Sequence, residues 1–489
     1  MEATNSKKVR PFGNKDKWLY ALGDFGCNMS FAMKNWITLF YTLYIGLDPI
    51  LMGVIILLLN IWDGINDPIV GALVDRIKPG KNGKFKPWIF WGAIALIVSG
   101  AMVFLPIADA DTWVQIVVCI LGYLAWDMAY TVVNVPYGSM ASVITIDPTE
   151  RASLSKFRTI GAMLAQLPIQ IIVPMIFYNE FVNDAGEKVL NVNGPGVFIL
   201  TIILGIIGFV AFAIMVKYTV ERVQPEQKAA AEKVSYLEVI KSFGKNRGAI
   251  GLTIASFFSL IMMQGLSQAT SVMYTSYFTE IPGLADNSGT IGMISYLPVL
   301  GGIFLANPII KKFGKKNASS FPLLAGVVAG LLMAVLPFGR GVPGLVLWLV
   351  LNMIVSCSVA IFSLVGWAMI ADCIDYQELQ TGRREEGSVY AIYSLGRKVA
   401  QGLGAFIVLA IMGLIGFVSS EGDETIIQVF EVANNVRIMI GLIYVVCCAA
   451  QFIALHFIYN LGKKEVENMQ IALGRMNEVN VYAKEEDYC

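Results

Sequence analysis

About twelve runs of predominantly apolar residues constrain this chain more than any other feature it carries. They lie near 18–46, 50–74, 87–108, 112–145, 156–178, 195–218, 248–279, 289–310, 318–338, 343–373, 388–419 and 435–459. A bilayer core takes roughly 20 such residues per helix. Hydrocarbon leaves no water for unpaired peptide groups, so each crossing segment is expected to be helical. Composition agrees, with 56% apolar and 15% charged residues against about 25% charged in soluble domains. The expectation is an all-α membrane protein with twelve transmembrane helices in two six-helix bundles, residues 1–218 and 248–460. A cytoplasmic linker at 219–247 and a tail at 461–489 complete it.

The connections alternate in charge. Lys7, Lys8, Arg10, Lys15 and Lys17 precede the first run, and Arg76, Lys78, Lys81, Lys84 and Lys86 follow the second. Lys311, Lys312, Lys315 and Lys316, then Arg383 and Arg384, fall at later connections of the same parity, whereas 46–50, 109–111, 280–288 and 420–431 are neutral or acidic. Basic connections stay in the cytoplasm, which places both termini there and the chain in a cell (inner) membrane. The polar, basic stretch 1–17 and the long run after it do not fit a cleaved signal, so the first helix is expected to be retained. Two six-helix halves, with GKNGKFK at 80–86 and KKFGKK at 311–316 at equivalent turns, fit a carrier built from repeats. In the linker, Val234, Leu237, Ile240 and Lys241 are spaced for a short surface helix, with a plain connector the alternative.

Several function classes lose support. Thirty-six basic residues balance thirty-six acidic ones, leaving no net field to recruit nucleic acid. One histidine, His456, is too few for a zinc site or a catalytic triad. The seven cysteines, at 27, 119, 357, 373, 447, 448 and 489, lie mostly within apolar runs and form no CxxC, as expected of small buried hydrophobes. No catalytic constellation appears, so neither an enzyme nor a resident cofactor is expected.

Ionisable side chains inside the apolar runs cost at least about 2.5–3.5 kcal/mol each at a helix centre and are therefore candidates for function. In WDGINDPIVGALVDR (62–76), Asp63, Asn66 and Asp67 are spaced i, i+3 and i+4 on one helical face. Converging carboxylates and an amide suit a small monovalent cation or a proton; the bland reading is a salt bridge to an intramembrane cation. The cations available are Lys34, Arg397 and Lys398. In LAWDMAYTVVNVPYGSM (124–140), Asp127, Thr131 and Asn134 share a face, and Trp126, Tyr130 and Tyr137 offer flat surfaces for a hydroxyl-rich solute. A polar helix-packing seam is the alternative. Asp24, Asn28 and Asn35 interrupt the first run, with Asp24 placed nearer the cytoplasmic end as a structural residue.

Three motif blocks in order, WDGINDPIVGALVDR with GKFKPW, NVPYGSM with TIDPTERASLSKFR, and ADCIDYQELQTGRREEGSVYAIYSLGRK, resemble the glycoside–pentoside–hexuronide:cation symporters. That family, of the major facilitator superfamily, is typified by melibiose permease, and the likeness covers nearly the whole chain. It implies a major facilitator fold and a cation site of Asp63, Asn66, Asp67 and Thr131, with Lys398 matching the coupling lysine and Arg158 the arginine after the loop between the fourth and fifth helices. Asn28 and Asn134 stand where melibiose permease carries aspartates, and Gly138 replaces a tryptophan platform, so a galactoside is not the expected sugar. Lys34 and Asp127 are additions to the pattern; Lys34 meets an anionic group of the substrate or neutralises Asp127.

The expected function is cation-coupled (Na+ or H+) symport of a glycoside, pentoside or hexuronide by alternating access. Its partners are that solute, a monovalent cation and the bilayer, with Asn28, Lys34, Asp127, Asn134, Arg158 and Lys398 as substrate-binding residues. Asp147, Glu150, Arg151, Asp372, Asp375 and Arg383 are expected to form a cytoplasmic gate. The rivals are a lipid or drug carrier on the same fold, and a membrane sensor or enzyme that does not transport.

Overall fold

The computed structural model describes residues 10–76, 83–145, 148–182, 188–222, 243–295, 297–382, 386–420 and 425–474. Every expected apolar run falls on helix. The first half contains α1 (Asn14–Phe31), α2 (Lys34–Leu43), α3 (Pro49–Arg76), α4 (Lys86–Val103), α5 (Thr112–Ile144), α6 (Pro148–Phe177) and α7 (Gly194–Tyr218). Among the described residues, ten helical stretches are long and apolar enough to cross a membrane. The first run is not one of them: α1 carries Lys15, Asp16, Lys17 and Asp24, and the chain turns at Ala32 and Met33 before α2. Of the eighth run, Ser288–Ile294 and the segment from Leu297 are helical. Most of the linker, with its surface-helix candidate, lies outside the described residues.

The chain divides into two units. The first comprises Met1–Ala231 with Ala285–Thr290 and Val418–Ile427. In it α1 packs against both α6 and α7, and glycines set the spacing: a Cβ on Gly161 would lie 2.1 Å from the Ala21 carbonyl oxygen. Small residues at such crossings let membrane helices gain dispersion energy where burial from water offers none. Tyr20, Cys27, Ile89, Val133, Tyr137 and Phe212 form part of its core. At its base Asp16, fully buried, accepts from Arg10 at 2.6 Å and Arg222 at 3.0 Å, while Arg222 also donates to the Arg10 carbonyl at 2.9 Å. A hairpin of β1 (Tyr178–Val182) and β2 (Lys188–Val192), with Tyr178 opposite Val192, connects α6 to α7. Segment 418–427 is held there by Ile426 N–H to the Leu190 carbonyl at 2.8 Å and Ser420 Oγ to the Leu43 carbonyl at 2.8 Å.

The second unit comprises Glu232–Leu284, Ile291–Phe417 and Gln428–Cys489. Its first span begins at Arg247, where the Asn246 side chain accepts from the Ala249 N–H at 2.9 Å, and runs to Tyr277 through two π-helical turns. KKFGKK, expected as a connection, is where two helices within Leu297–Ser320 meet at a kink. The break falls on Gly314 alone, at φ 73°, a left-handed conformation that glycine adopts without a Cβ clash. Leu323–Val335 packs against Phe430–Ile453, where a Cβ on Gly441 would meet the Ala334 nitrogen at 2.6 Å. Arg437 donates to the carbonyls of Met333 and Leu336, each at 2.6 Å. It thereby satisfies acceptors that the end of the first of these helices leaves open. The forty-residue helix Val342–Thr381 stops at Gly382, again left-handed.

Candidate functional site

The acids of α3 face two neighbours. Thr131 on α5 donates its hydroxyl to Asp67 Oδ1 at 3.0 Å, and the ammonium of Lys34, at the start of α2, lies 3.9 Å from Asp63 Oδ2. Asn66 between them is 3% exposed, and its Nδ2 has no hydrogen-bond partner among the described residues. Asp127, four residues before Thr131 and equally buried, is within electrostatic reach of Lys34. The Lys34 ammonium also lies 5.7 Å from the ring centres of Phe31 and Tyr123. Three carboxylates and one ammonium thus gather, mostly buried, on α2, α3 and α5. Lys34 pairs with Asp63, one of the pairings left open in the sequence beside Asp127 and an anionic substrate.

A second network crosses α1 and α6. Arg158 Nε donates to Asp24 Oδ1 at 2.9 Å, and Asn28 Nδ2 donates to the Asp24 carbonyl at 2.8 Å and to Asp24 Oδ2 at 3.2 Å. Gln166 Nε2 donates to Asn28 Oδ1 at 2.7 Å. Asp24, set aside in the sequence as structural, is therefore the hub that orients both Arg158 and Asn28. Gln166 was missed because a neutral amide in a long apolar helix gives no sequence signal. The guanidinium of Arg158 stands 5.3 Å from the centre of the Tyr137 ring, and a Cβ on Gly138 would have Arg158 Nη1 as its nearest neighbour at 3.9 Å. Glycine here keeps open the space beside the arginine. Asn134 Oδ1 is 4.0 Å from Cys27 Sγ, a weak contact to α1.

The aromatic surfaces are committed differently than expected. Tyr137 is fully buried, stacked on Tyr20 with ring centres 4.8 Å apart and bonded to the Tyr20 carbonyl at 2.8 Å. Trp126 is buried too and donates to Ser30 Oγ at 2.7 Å. Both hold helices together. Tyr130, partly buried, stacks on Trp126.

In the second unit Lys398 is half-buried on Glu386–Leu414. Asp372 binds Lys315 through both carboxylate oxygens, at 2.7 and 2.9 Å, and Asp375 accepts from Gln470 Nε2 at 2.8 Å. The partners described for these two gate candidates thus belong to their own unit. In the first unit Glu150 accepts a hydrogen bond from Thr145. Asp147 and Arg383 lie outside the described residues, as does the side chain of Arg151.

Comparison with known proteins places this geometry in context. A family model described as "MFS/sugar transport protein" matches residues 19–463. The glucuronide carrier protein homolog of Escherichia coli (strain K12) is 29% identical over 466 residues, which cover 94% of this chain and 95% of that protein. The isoprimeverose transporter of Lactiplantibacillus pentosus is 26% identical over 415 residues, 84% of this chain and 82% of the transporter. An uncharacterized symporter of Bacillus subtilis (strain 168), YjmB, is 28% identical over 460 residues, 92% and 93% of the two chains. Among solved structures the nucleoside transporter NupG is similar in fold, with TM-score 0.59 at 14% identity over 91% of this chain and all of NupG.

Proposed function

Because the chain belongs to the MFS/sugar transport protein family, a family of membrane transporters and not of enzymes, we propose that it is a cation-coupled symporter of a sugar-like solute, moved by alternating access. One observation carries the reading: two polar networks, mostly buried, stand on separate groups of helices of a single unit, α2, α3 and α5 for one and α1 and α6 for the other. One is carboxylate-rich, with the Thr131–Asp67 hydrogen bond at 3.0 Å, and suits a small hard cation. The other pairs Arg158 with Asp24 at 2.9 Å and chains through Asn28 to Gln166. It offers amide and guanidinium groups for the hydroxyls of a glycoside or pentoside, or for the carboxylate of a hexuronide.

In this assignment Asp63, Asn66, Asp67 and Thr131 bind the cation, and Asn28, Asn134 and Arg158, held by Asp24, meet the solute. Lys398 takes the coupling role on its motif match alone. Relatives named as a glucuronide carrier homolog and an isoprimeverose transporter support a sugar-like passenger. Both termini are assigned to the cytoplasm on the charge of the connections, with a membrane-spanning bundle on each side of the linker.

The test is uptake of labelled glycosides, pentosides and uronides into proteoliposomes, with and without sodium and with an imposed proton gradient. At least one sugar is expected to accumulate under one of the two gradients. Downhill equilibration alone under every gradient overturns the coupling, and competition by lysolipids in place of sugars overturns the passenger.

A further inference from the structure

The cation cluster contains its own cation. Taking Asp63 and Asp67 as a cation site, which rests on the functional reading above, we infer that Lys34 is a tethered counter-ion that competes with the transported cation for Asp63. Asp127 is the second berth onto which the ammonium withdraws when an ion enters.

Four observations support this. The ammonium is 3.9 Å from Asp63 Oδ2, near enough for a strong electrostatic hold and longer than the roughly 2.7–2.9 Å of a tight charge-assisted hydrogen bond. A loosely held lysine is displaceable where an arginine fork would not be. Asp127 is 2% exposed and lies within electrostatic reach of Lys34, so moving toward it keeps the ammonium paired. The rings of Phe31 and Tyr123, both 5.7 Å from the ammonium, provide a π-face that stabilises a cation in transit. Asn66, deeply buried, stands between the two acids in sequence and carries an amide oxygen of the kind a hard cation binds.

Charge balance fixes the consequence. Three carboxylates and one ammonium leave two net negative charges, and an external cation drawn to Asp63 and Asp67 competes with Lys34 for Asp63. Lys34 therefore sets cation affinity from inside the site, and Asp127 sets how readily Lys34 gives way.

The experiment is equilibrium binding of radiolabelled sodium, with lithium as competitor, to purified full-length protein. The variants are Lys34→Met, Lys34→Arg, Asp127→Asn and the double variant Lys34→Met/Asp127→Asn. Lys34→Met is expected to tighten sodium binding at least about tenfold, and Lys34→Arg to weaken it, because a guanidinium grips Asp63 more firmly. Asp127→Asn is expected to weaken binding by a similar factor in the parent protein and to have little effect once Lys34 is gone. That non-additivity marks action through one group. Sodium affinity unchanged or lowered in Lys34→Met, with Lys34→Arg still binding as the parent does, overturns the proposal. So does an Asp127→Asn effect equal in both backgrounds. Asp67→Asn in the Lys34→Met background separates the two readings: sodium binding that survives there overturns the assignment of the site to Asp67, whatever Lys34 does.

Discussion

Replacing Asp24 should damage solute recognition and spare the cation. Truncation to alanine removes the carboxylate that accepts from Arg158 at 2.9 Å. Asn28 keeps its bond to the backbone carbonyl of residue 24, now at 2.8 Å, so its position persists and the loss falls on the arginine. A hydrogen bond between charged groups contributes about 1.5–3 kcal/mol. The Arg158 side chain is 39% exposed against 9% for Asp24, so water replaces part of the interaction and the low end, about 1.5 kcal/mol, applies. If that bond holds Arg158 in its binding orientation, the competent fraction falls by about tenfold, and apparent solute affinity falls with it. Asparagine at 24 still offers an oxygen acceptor without the charge, for about a threefold loss.

The assay is the concentration dependence of sugar uptake into proteoliposomes, run beside sodium binding measured without sugar. The expected result is a half-saturation raised about threefold in Asp24→Asn and about tenfold in Asp24→Ala, with sodium binding unchanged in both. The separation follows from the geometry, since the Asp24 network lies on α1 and α6 and the Asp67 bond on α3 and α5. Unaltered half-saturation in Asp24→Ala would refute the positioning argument. A sodium affinity shifted by the same factor as the sugar would refute the separation.

Other outcomes follow from single contacts. Gly161→Ala places a Cβ against the Ala21 carbonyl, 2.1 Å away before relaxation; sugar affinity should fall as in Asp24→Ala, and the two changes together should not add, as uptake kinetics of the double variant will show. Arg437→Leu leaves the carbonyls of Met333 and Leu336 without their donor; less the recovered cost of burying the cation, about 2 kcal/mol of stability should go, read as a lower melting temperature in detergent. The carboxyl of Asp286, outside the spans, is pushed up by burial and then by Glu180. Its native form therefore holds a proton that the unfolded chain has released, so its stabilising effect is full below about pH 3.9 and is lost as pH rises through the native pKa. Asp286→Asn should thus melt higher than the parent protein at neutral pH and converge with it toward pH 4, and a constant offset across pH would contradict the assignment.

What the sequence reveals depends on the energetic cost of a charge in hydrocarbon. An aspartate in an apolar run has few reasons to be there, which is why Asp63, Asp67 and Asp127 stand out in the sequence itself, and why helical spacing puts the first two on one face. Pairing is another matter. Arg158 and Asp24 are 134 residues apart and Gln166 is 138 from Asn28, and nothing local to either segment encodes the crossing of α1 over α6 that joins them. The crossing depends on Gly161, one glycine among forty-six, whose role appears only when the neighbouring carbonyl is in place. Asp372 shows the same limit: its acidity drew attention, and its bidentate partner is Lys315, a residue whose charge had already been explained by the positive-inside rule. A residue accounted for by one principle is easily overlooked as the partner required by another.

Lys34 extends this reasoning to function. Read alone, a lysine in a membrane helix marks a salt bridge, and an aspartate pair marks a cation site. At 3.9 Å from Asp63 the two readings describe the same groups. If Asp63 serves a cation site, a free cation competes there with the tethered ammonium, so the energy of the Lys34–Asp63 pair is set against the energy of ion binding. Coupling in such a site is a competition between two cations for one acid, and the sharpest probe of it is the tethered cation rather than the acid.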